Sequence, residues 1–392
     1  MTVYDPKTNL FAAHLDAYLH QSATYGVIVL NTVRDPQGRP LAVNPEWKQF
    51  LSAHPDYSRK IDELLRLARE KAGIEPATLA AASVFTTQSI TYFLERVRQD
   101  LDSGAAIEAA GIADPGARFD LGLSHERTVF RADEVKTILR RQQILTKGAL
   151  STAKPIPMPL NPDWTLAFGS FESPEYRESQ HLTFPPVPSR TGAPRPQGKN
   201  TVYFNLLLPP GTPPDRGWPL IVYGHGFGGN KNDQFQVDEQ FIAAGYAVVH
   251  INVPGFAGGP GGRLLVETRD GKRIALPDGG RAVANALPGV YLSRVGGFFA
   301  KVRSNRLPVG HRDGMRQEVI DLMRLVRVFQ AGVDVNNDGR PDVDAARVYY
   351  TGSSLGGCYG AIFTAMEPSV YRSVPNVGGG PIFQIRMLPI WS

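Results

Sequence analysis

The sequence predicts an α/β fold in which a mostly parallel sheet is covered by helices. Strands and helices alternate along the chain from about residue 164, an order that favours parallel strands joined by crossover helices. The predicted strands, such as 219–224 and 246–253, are almost wholly apolar, which is typical of a sheet buried on both faces. A glycine-rich turn follows the predicted strand 347–352 and leads directly into the predicted helix 355–366, which makes this turn the first candidate for a functional site.

The remaining elements of this part of the chain follow from hydrophobic periodicity and from turn residues. We expect strands at 165–172, 201–208 and 373–377, and helices at 233–244 and 315–330. In the last of these helices, Val319, Met323 and Val326 recur at helical spacing, so its apolar stripe should pack on the sheet.

Residues 1–150 are predicted to form a separate N-terminal domain that mixes short strands and helices and is β-rich and sandwich-like. Strands are expected at 24–33 and 80–88, and helices at 59–72 and 90–101. These residues show no cluster of catalytic residue types.

A proline-rich linker is predicted at 151–163, because proline disfavours both helix and central strand, and residues 164–392 then form the second domain. Within that domain, the segment 254–312 is rich in glycine and proline and shows no clear element. Loops of this length in compact domains are usually functional or wrongly assigned. A lid and a partly helical surface insertion are both compatible with it.

The composition argues against several classes of protein, among them nucleic-acid-binding and disulfide-bonded proteins. The net charge is +5, but acidic residues are interspersed among the basic ones, so we expect no binding to nucleic acid. Cys358 is the single cysteine, which excludes an intramolecular disulfide. The N-terminus lacks the basic and apolar regions of a signal peptide, and no apolar run approaches the length of a membrane-spanning helix.

The motif Gly-x-Ser-x-Gly occupies residues 352–356, with Ser354 at its centre. A serine nucleophile at a tight strand-to-helix turn needs small residues on both sides, because strand and helix must approach closely. The N-terminus of the following helix then directs free N–H groups and a positive dipole end towards a developing oxyanion. The alternative is a glycine-rich turn that serves packing alone.

A second motif, His-Gly-Phe-Gly-Gly at 225–229, closes an earlier apolar strand. A loop in this place supplies one N–H group of an oxyanion hole, so the backbone N–H groups of Phe227 and Leu355 are the predicted donors. We expect His225 to hold the turn through backbone hydrogen bonds rather than to act as the general base.

These two motifs and their strands resemble an α/β-hydrolase and, more narrowly, bacterial virulence-factor-type lipases, which are relatives of surface-exposed lysophospholipases. Residues 25–30, 35–40 and 83–89 resemble the lipase-associated domain of that family, and 328–334 is also similar to the family. The resemblance implies hydrolysis of a lipid or another acyl ester at Ser354, an extracellular or cell-surface location, and peripheral contact with a membrane surface.

A third pattern suits calcium. Oxygen-bearing side chains alternate with other residues just before the predicted strand 347–352, and a glycine allows a sharp turn. The candidate ligands are Asp334, Asn336, Asp338, Asp342 and the carbonyl of Arg340. The pattern departs from an EF-hand, since Pro341 and Ala345 replace the usual apolar residue and bidentate glutamate. Calcium would be structural, and the reaction itself would require no cofactor; a solvated acidic turn is the alternative.

No residue matches the usual catalytic acid or histidine. In α/β-hydrolases these follow the nucleophile in the chain, but all 8 histidines precede Ser354, and Glu367 is the one carboxylate side chain after it. We therefore expect the sequence to be part of a longer hydrolase, with an exposed sheet edge on its C-terminal side. Natural truncation, or a base recruited from His225, His250 or His311, are the alternatives.

Two functions from different classes follow. The first is a serine carboxylic-ester hydrolase that forms an acyl-enzyme on Ser354. The second is a catalytically dead or incomplete hydrolase scaffold that carries an N-terminal interaction module. A peptidase is a weaker alternative, because both motifs would also serve amide cleavage.

Overall fold

The computed structural model describes residues 2–5, 10–13, 17–34, 37–121, 123, 126–142, 152–159, 162–186, 192, 194–282 and 307–379, with only the backbone described at 2–5, 10–13 and 307–308. The chain forms two compact units. One consists of Met1–Tyr92 with Pro188–Gly192, and the other of Phe93–Val187 with Ala193–Ser392.

The first unit contains two small antiparallel sheets and two helices. Its elements are β1 (Thr2–Asp5), β2 (Leu10–Ala13), β3 (Thr24–Leu30), α1 (Pro45–Ala53), α2 (Pro55–Ala72) and β4 (Leu79–Thr86), and β1 pairs with β2 while β3 pairs with β4. Helix α1 begins where the side chain of Asn44 accepts a hydrogen bond from the N–H of Glu46, and α2 ends at Gly73, whose φ of 63° favours glycine.

Helix α2 covers the β3–β4 sheet. Ile61 of α2 is buried together with Leu79 and Ala82 of β4, and Trp47 of α1 packs against this small core. The predicted mixture of strands and helices is therefore confirmed. The sandwich-like packing of two sheets is not seen among the residues with described side chains, because the apolar stripe of α2 takes the place of a second sheet.

The second unit holds all the remaining elements. They are α3 (Tyr92–Asp102), α4 (Ala105–Ala109), β5 (Val129–Arg131), β6 (Val135–Arg141), β7 (Lys154–Ile156), β8 (Thr165–Glu175), β9 (Gly198–Leu208), β10 (Trp218–Gly224), α5 (Phe235–Ala243), β11 (Ala247–Ile251), β12 (Arg263–Thr268), β13 (Arg273–Pro277), α6 (Leu307–Gln330), β14 (Val343–Ser353), α7 (Leu355–Met366) and β15 (Val370–Asn376).

The main sheet has the strand order β15-β14-β10-β11-β9-β8-β5. Strands β15, β14, β10 and β11 are parallel to one another, whereas β9, β8 and β5 continue the sheet in antiparallel pairs. The sheet is therefore mixed, with three parallel and three antiparallel pairings, where the sequence predicted a mostly parallel one. A sheet with this parallel half and a serine at the strand-to-helix turn after a central strand is an α/β-hydrolase fold. The fold class predicted from the sequence is confirmed.

Different layers cover the two faces of this sheet. On one face, α6 and α7 contribute Met323, Phe329 and Phe363 to a core shared with Val222 of β10. On the other face, α5 is joined by a four-stranded antiparallel sheet of order β13-β12-β6-β7, which buries Ile138 and other apolar residues. The helices predicted to cover the sheet are present, and on this second face a small sheet shares that role with α5.

The segment 254–312 is also different from its prediction. It contains the β12–β13 hairpin, and α6 begins at Leu307 rather than at 315. Side chains along β12 are alternately exposed and buried, because one face of the hairpin packs on the main sheet. The described part of this segment thus belongs to the body of the unit, and residues 283–306 lie outside the described residues, so the lid hypothesis is untested.

The two units do not divide at the predicted linker. Leu94, Val97 and Leu101 of α3 lie in the same core as the main sheet, and β7, which falls within the predicted linker 151–163, pairs with β6. Periodicity reveals that a helix has an apolar face, but it does not reveal which core that face joins. In the described part of the chain, no helix is both long and apolar enough to cross a membrane.

Strand β15 forms an edge of the main sheet as far as the structure describes it. Tyr371 and Val374 are 65% and 66% exposed on this strand, and Val377, which follows it, is 71% exposed. The exposed edge expected on this side is present in the described residues.

Candidate active site

The ends of three neighbouring strands bring the predicted site together. Strands β14, β10 and β11 are parallel, and Gly224 at the end of β10 pairs with Gly352 near the end of β14. Parallel strands end at a common edge, so the turn at Ser354 and the loops that follow β10 and β11 lie side by side. This edge of the sheet is where α/β proteins usually bind their ligands.

Ser354 has a strained backbone and an exposed side chain. Its φ is 55° and its ψ is −110°, a conformation that residues with a Cβ rarely adopt and that costs about 1–3 kcal/mol. The N–H of Ser354 donates to the carbonyl of Asn376 at 3.0 Å, which anchors the turn to the end of β15. The serine predicted to be the nucleophile therefore stands at a sharp turn and presents its side chain outwards.

Glycines allow the elements around Ser354 to approach one another. A Cβ on Gly356 would lie 2.1 Å from the carbonyl oxygen of Gly224, and a Cβ on Gly352 would lie 2.7 Å from the carbonyl carbon of Gly356. A Cβ on Gly226 would lie 3.5 Å from the Cβ of Ser354. The loop after β10 is thus in direct contact with the serine turn, as the two motifs predict.

Tyr350 holds these elements together through a hydrogen bond and through the packing of its ring. Its hydroxyl donates a hydrogen bond to the carbonyl of Gly356, and its side chain fills the space that a Cβ on Gly224, Gly352 or Gly360 would need. The hydroxyl of Tyr359 donates to the carbonyl of His225 at 3.4 Å. Sequence reasoning missed both tyrosines, because nothing in a single sequence shows which glycines a distant ring packs against.

His225 is a structural residue. Its Nδ1 lies 2.9 Å from the carbonyl of Gly226 and its Nε2 accepts the N–H of Val253 at 3.1 Å, so the ring carries its proton on Nδ1. Burial lowers the pKa of His225 to about 4. With both nitrogens engaged and the ring buried, His225 holds the loop after β10 to the loop after β11, in agreement with the role expected from the sequence.

The other two candidate histidines lie in different surroundings. His250 of β11 is buried, and its Nε2 is 2.9 Å from a carboxylate oxygen of Asp238 on α5. His311 on α6 is partly exposed, and its ring stacks on that of Phe227 with centroids 6.4 Å apart. Of these three histidines, His311 is the one that combines exposure with contact to the predicted oxyanion loop.

Aromatic rings form a wall beside the serine turn. Phe227 is 44% exposed, and its ring meets the ring of Phe256 edge-on at 5.3 Å, while Phe256 also contacts the ring of His225. Leu355, the first residue of α7, is buried. The side chains of both predicted oxyanion residues are therefore placed by packing, and the role of their N–H groups stays a prediction.

A buried network of hydrogen bonds holds the loop after β10 in place. The ammonium of Lys231 donates to the side-chain oxygen of Asn205 at 2.6 Å, and the N–H of Lys231 donates to the side chain of Asn252 at 2.8 Å. Asn232 bonds to Asp278 at 2.9 Å. Burial lowers the pKa of Lys231 to about 8. Two asparagines at 230–232 are the one feature of the sequence that could have indicated this network. The residues that they and Lys231 bind lie far away in the chain.

Glu367 does not serve as the catalytic acid in this arrangement. It follows the last residue of α7, so it lies about 20 Å along the helix from Ser354, at 1.5 Å per residue. Glu367 is buried and paired with Arg327 of α6. The sequence-based judgement that this carboxylate is misplaced for catalysis agrees with its position.

The candidate calcium ligands do not form a preformed metal-binding site. Asp334 accepts the N–H groups of Asp338 and Gly339, and the carboxylate of Asp342 accepts the N–H of Val335 at 2.7 Å. Asn336 and Asp338 bond to each other and to nearby backbone, at 3.2 Å between the side chains. In the described part of the chain, no three His, Cys, Asp or Glu side chains are grouped to hold a metal ion. The side chains brace their own loop, and the calcium site expected from the sequence is untested.

Comparisons with known proteins give distant structural likenesses alone. No protein-family profile matches the chain, and no curated protein matches it. An acetyl xylan esterase from Paenibacillus sp. R4 is similar at 13% identity and a TM-score of 0.36, over 76% of this chain and 63% of that protein. Acetyl xylan esterase 1 from Thermoanaerobacterium sp. JW/SL YS485 is similar at 16% identity and a TM-score of 0.32, over 74% and 65%.

A cold-adapted esterase from an Arctic intertidal metagenomic library is similar at 16% identity and a TM-score of 0.27, over 53% of this chain and 59% of that one. The chain thus spans less than two thirds of the length of each of these solved structures. Likenesses this weak carry no argument for a shared substrate, and the more specific lipase family named from the sequence is not confirmed by them.

Proposed function

We propose that the protein is a serine carboxylic-ester hydrolase whose nucleophile is Ser354. The observation that supports this most is the strained, exposed Ser354 at a turn that Gly226 of the neighbouring loop approaches directly. A turn that served packing alone would have no need to hold a residue with a Cβ at positive φ, because glycine takes that conformation without strain.

The reaction follows from this geometry. Ser354 Oγ attacks the ester carbonyl, the alcohol departs, and water then hydrolyses the acyl-enzyme. The N–H groups of Phe227 and Leu355 are the proposed donors to the oxyanion, and loss of one such donor typically costs about 3 kcal/mol of transition-state stabilisation. The proposed substrates are lipids or other acyl esters, with lysophospholipids included, and the proposed setting is the cell surface or the extracellular space.

The attack needs a base to take the proton from Ser354. His225 has both ring nitrogens engaged, and His250 is buried against Asp238. We therefore assign His311, which stacks on Phe227, as the first histidine to be tested for this role.

The test is an assay of the purified chain against p-nitrophenyl esters of short and long fatty acids, with Ser354→Ala as the matched inactive variant. We expect turnover that Ser354→Ala abolishes and that His311→Gln lowers strongly if His311 is the base. Labelling of Ser354 by a fluorophosphonate, detected by mass spectrometry, gives a second measurement that does not require deacylation.

Absence of both turnover and labelling in a folded chain would contradict the assignment of a complete catalytic machine to these residues. It would favour the second function, a catalytically dead or incomplete hydrolase scaffold whose N-terminal unit mediates binding. Turnover that survives Ser354→Ala would show that another residue carries the reaction.

A further inference from the structure

We propose that the outer face of the small sheet β13-β12-β6-β7, with the rim of that sheet, docks on a membrane that contains anionic phospholipids. The charge, the composition and the position of this basic face support the proposal. Delivery of a lipid to Ser354 rests on the proposed function, whereas binding to the membrane does not.

The positive charge of the chain is concentrated on this sheet. Strands β6 and β7 and the β12–β13 hairpin contain eight Lys or Arg residues and two Asp or Glu residues. Their net charge is therefore +6, against +5 for the whole chain, so all other residues together carry a slight negative excess. A basic cluster of this kind attracts anionic surfaces.

Most of these charges face solvent. Seven of the eight basic residues are exposed, and the eighth, Arg140, lies 3.9 Å from Asp233. Two of the seven are paired within the hairpin, Lys272 with Asp270 at 3.0 Å and Arg273 with Glu267 at 2.8 Å.

Four other exposed residues of this face make no ion pair with a carboxylate in the described part of the chain: Lys136, Arg141, Lys154 and Arg269. The carboxylates that precede β6 do not neutralise them, because Asp133 is paired with Arg131 and Glu134 with Arg127, each at 2.7 Å. The basic face is thus available to an external anion.

Two arginines of the face lie directly opposite each other on neighbouring strands. Arg263 of β12 is the cross-strand partner of Arg141 of β6. Like charges in this arrangement destabilise a sheet. Contact with an anionic surface would remove that repulsion.

A row of apolar side chains crosses the middle of the same face. Its members are successive cross-strand partners, Ala275, Leu265, Leu139 and Pro155. Ala275 and Pro155 are exposed and both leucines are half-buried, whereas the alternate residues of these strands are buried against the main sheet. Apolar groups surrounded by basic ones are typical of surfaces that lie at the interface of an anionic bilayer.

The composition of the sheet favours a bilayer over a nucleic acid. Its four strands and the hairpin turn contain no Phe, Tyr or Trp, so the face lacks the rings on which exposed bases stack. The apolar row would gain nothing from contact with a phosphate backbone. At the boundary between head groups and acyl chains, it would leave water.

The basic face extends to the edge of the main sheet that carries Ser354. Strand β12 begins at Arg263, directly after the loop 252–262, and this loop begins where β11 ends. Phe256 of the loop packs against Phe227 beside the serine turn. The end of the sheet that bears Arg263 therefore adjoins the site, and a lipid that leaves the bilayer there would have a short path to Ser354.

The first experiment measures membrane binding in the Ser354→Ala chain, so that catalysis plays no part. Vesicles of phosphatidylcholine alone, and of equal parts of phosphatidylcholine and phosphatidylglycerol, are sedimented with the protein. We expect binding to the mixed vesicles alone, and loss of that binding as sodium chloride is raised, because salt screens surface charges. Equal binding to both kinds of vesicle, or to neither, would overturn the proposal.

The second experiment assigns the binding to this face. The triple variant Lys136→Gln/Arg141→Gln/Lys154→Gln should bind the mixed vesicles about a hundredfold more weakly, at about fivefold for each charge. The three single variants are measured as well, so that the test stands if the triple variant does not fold.

The matched control is Arg216→Gln/Arg340→Gln/Arg372→Gln, which removes the same charge from exposed positions outside the face. It should bind as the unmodified chain does. Equal weakening by both triple variants would show a response to net charge alone and would overturn the assignment to this face.

A double-stranded oligonucleotide, added to the mixed vesicles at equal phosphate concentration, tests the competing partner. We expect the protein to remain on the vesicles. Release of the protein by the oligonucleotide would overturn the bilayer as the partner and would favour a nucleic acid.

Turnover of a lysophospholipid in mixed vesicles, compared with soluble p-nitrophenyl acetate, connects the face to the site. The triple variant of the basic face should lower turnover of the vesicle substrate and spare the soluble ester. Vesicle binding without any esterase activity would support the basic face and contradict the proposed function. Esterase activity without vesicle binding would overturn the basic face alone.

Discussion

The hydroxyl of Tyr350 donates a hydrogen bond of 2.5 Å to the carbonyl oxygen of Gly356, two residues beyond Ser354. This bond joins the strand that precedes the serine to the helix that follows it. The ring of Tyr350 also occupies the space left by the missing side chains of Gly224 and Gly360. The shape of the serine turn therefore depends on a side chain that does not face the substrate edge.

Replacing Tyr350 by Phe should destabilise the protein by about 1–2 kcal/mol, because a buried carbonyl loses its donor. The measurement is the free energy of unfolding from denaturant titration, together with ester turnover. Tyr349→Phe is the control, since Tyr349 lies on the opposite face of β14 against Tyr246. Equal stability of Tyr350→Phe and the unmodified protein would show that the bond does not brace the turn.

His225 should remain neutral well below the pH at which free histidine is protonated. Burial lowers its pKa from 6.5 to about 4, so the stability that depends on neutral His225 is fully present above pH 6.5 and is lost as the pH falls towards 4. Nitrogen NMR shifts of the ring at pH 6 should report a neutral ring with the proton on Nδ1. A protonated ring at that pH would contradict the hydrogen bonds assigned to it.

Glu318 should make stability depend on pH in the opposite sense. Burial raises the pKa of Glu318 from 4.5 to about 8, so its contribution is fully present below pH 4.5 and is lost as the pH rises through 8. The variant Glu318→Gln should lose less stability over this interval than the unmodified protein, with a difference on the order of a few kcal/mol.

Thermal unfolding at a series of pH values measures this difference, and the range between pH 6.5 and 8 is the most informative because His225 is neutral there in both states. Glu63→Gln on exposed α2 serves as the control. Parallel pH profiles for Glu318→Gln and the unmodified protein would count against a protonated Glu318.

The loop at 334–342 should hold its conformation without calcium, because Asp334 and Asp342 already accept backbone N–H groups. Saturating calcium after treatment with a chelator should leave the melting temperature unchanged, whereas a ligand at a hundred times its Kd would stabilise the fold by about 2.7 kcal/mol. Asp334→Ala should destabilise the protein to the same extent with and without calcium. A calcium-dependent rise in melting temperature that Asp334→Ala abolishes would instead support the ligand set predicted from the sequence.

Local signals allowed the serine turn and most elements of the main sheet to be predicted. The helix after Ser354 was expected at 355–366 and is found at Leu355–Met366, because a strand, a glycine-rich turn and an apolar helix stand next to one another in the sequence. The contact between the two motifs also followed from the sequence, since adjacent parallel strands bring their ends to one edge.

The β12–β13 hairpin was missed although the sequence carries a signal for it. Asp270-Gly271 lies between two alternating segments, and this dipeptide is a strong indicator of a hairpin turn. The surrounding glycine and proline residues obscured it. By contrast, the contacts of Tyr350, Lys231 and Arg281 join residues that are far apart in the chain, and no local pattern specifies such partners.

The packing of Tyr350 has a consequence for how this protein can diverge. Neighbouring atoms leave no room for a side chain at Gly224, Gly352, Gly356 and Gly360. Substitutions at these glycines would prevent folding, so they would be eliminated even in a lineage that had lost catalytic activity. Ser354, whose side chain is exposed, is not protected in this way. Among homologues, persistence of the glycines would therefore report inheritance of the scaffold, and persistence of the serine would report selection for chemistry.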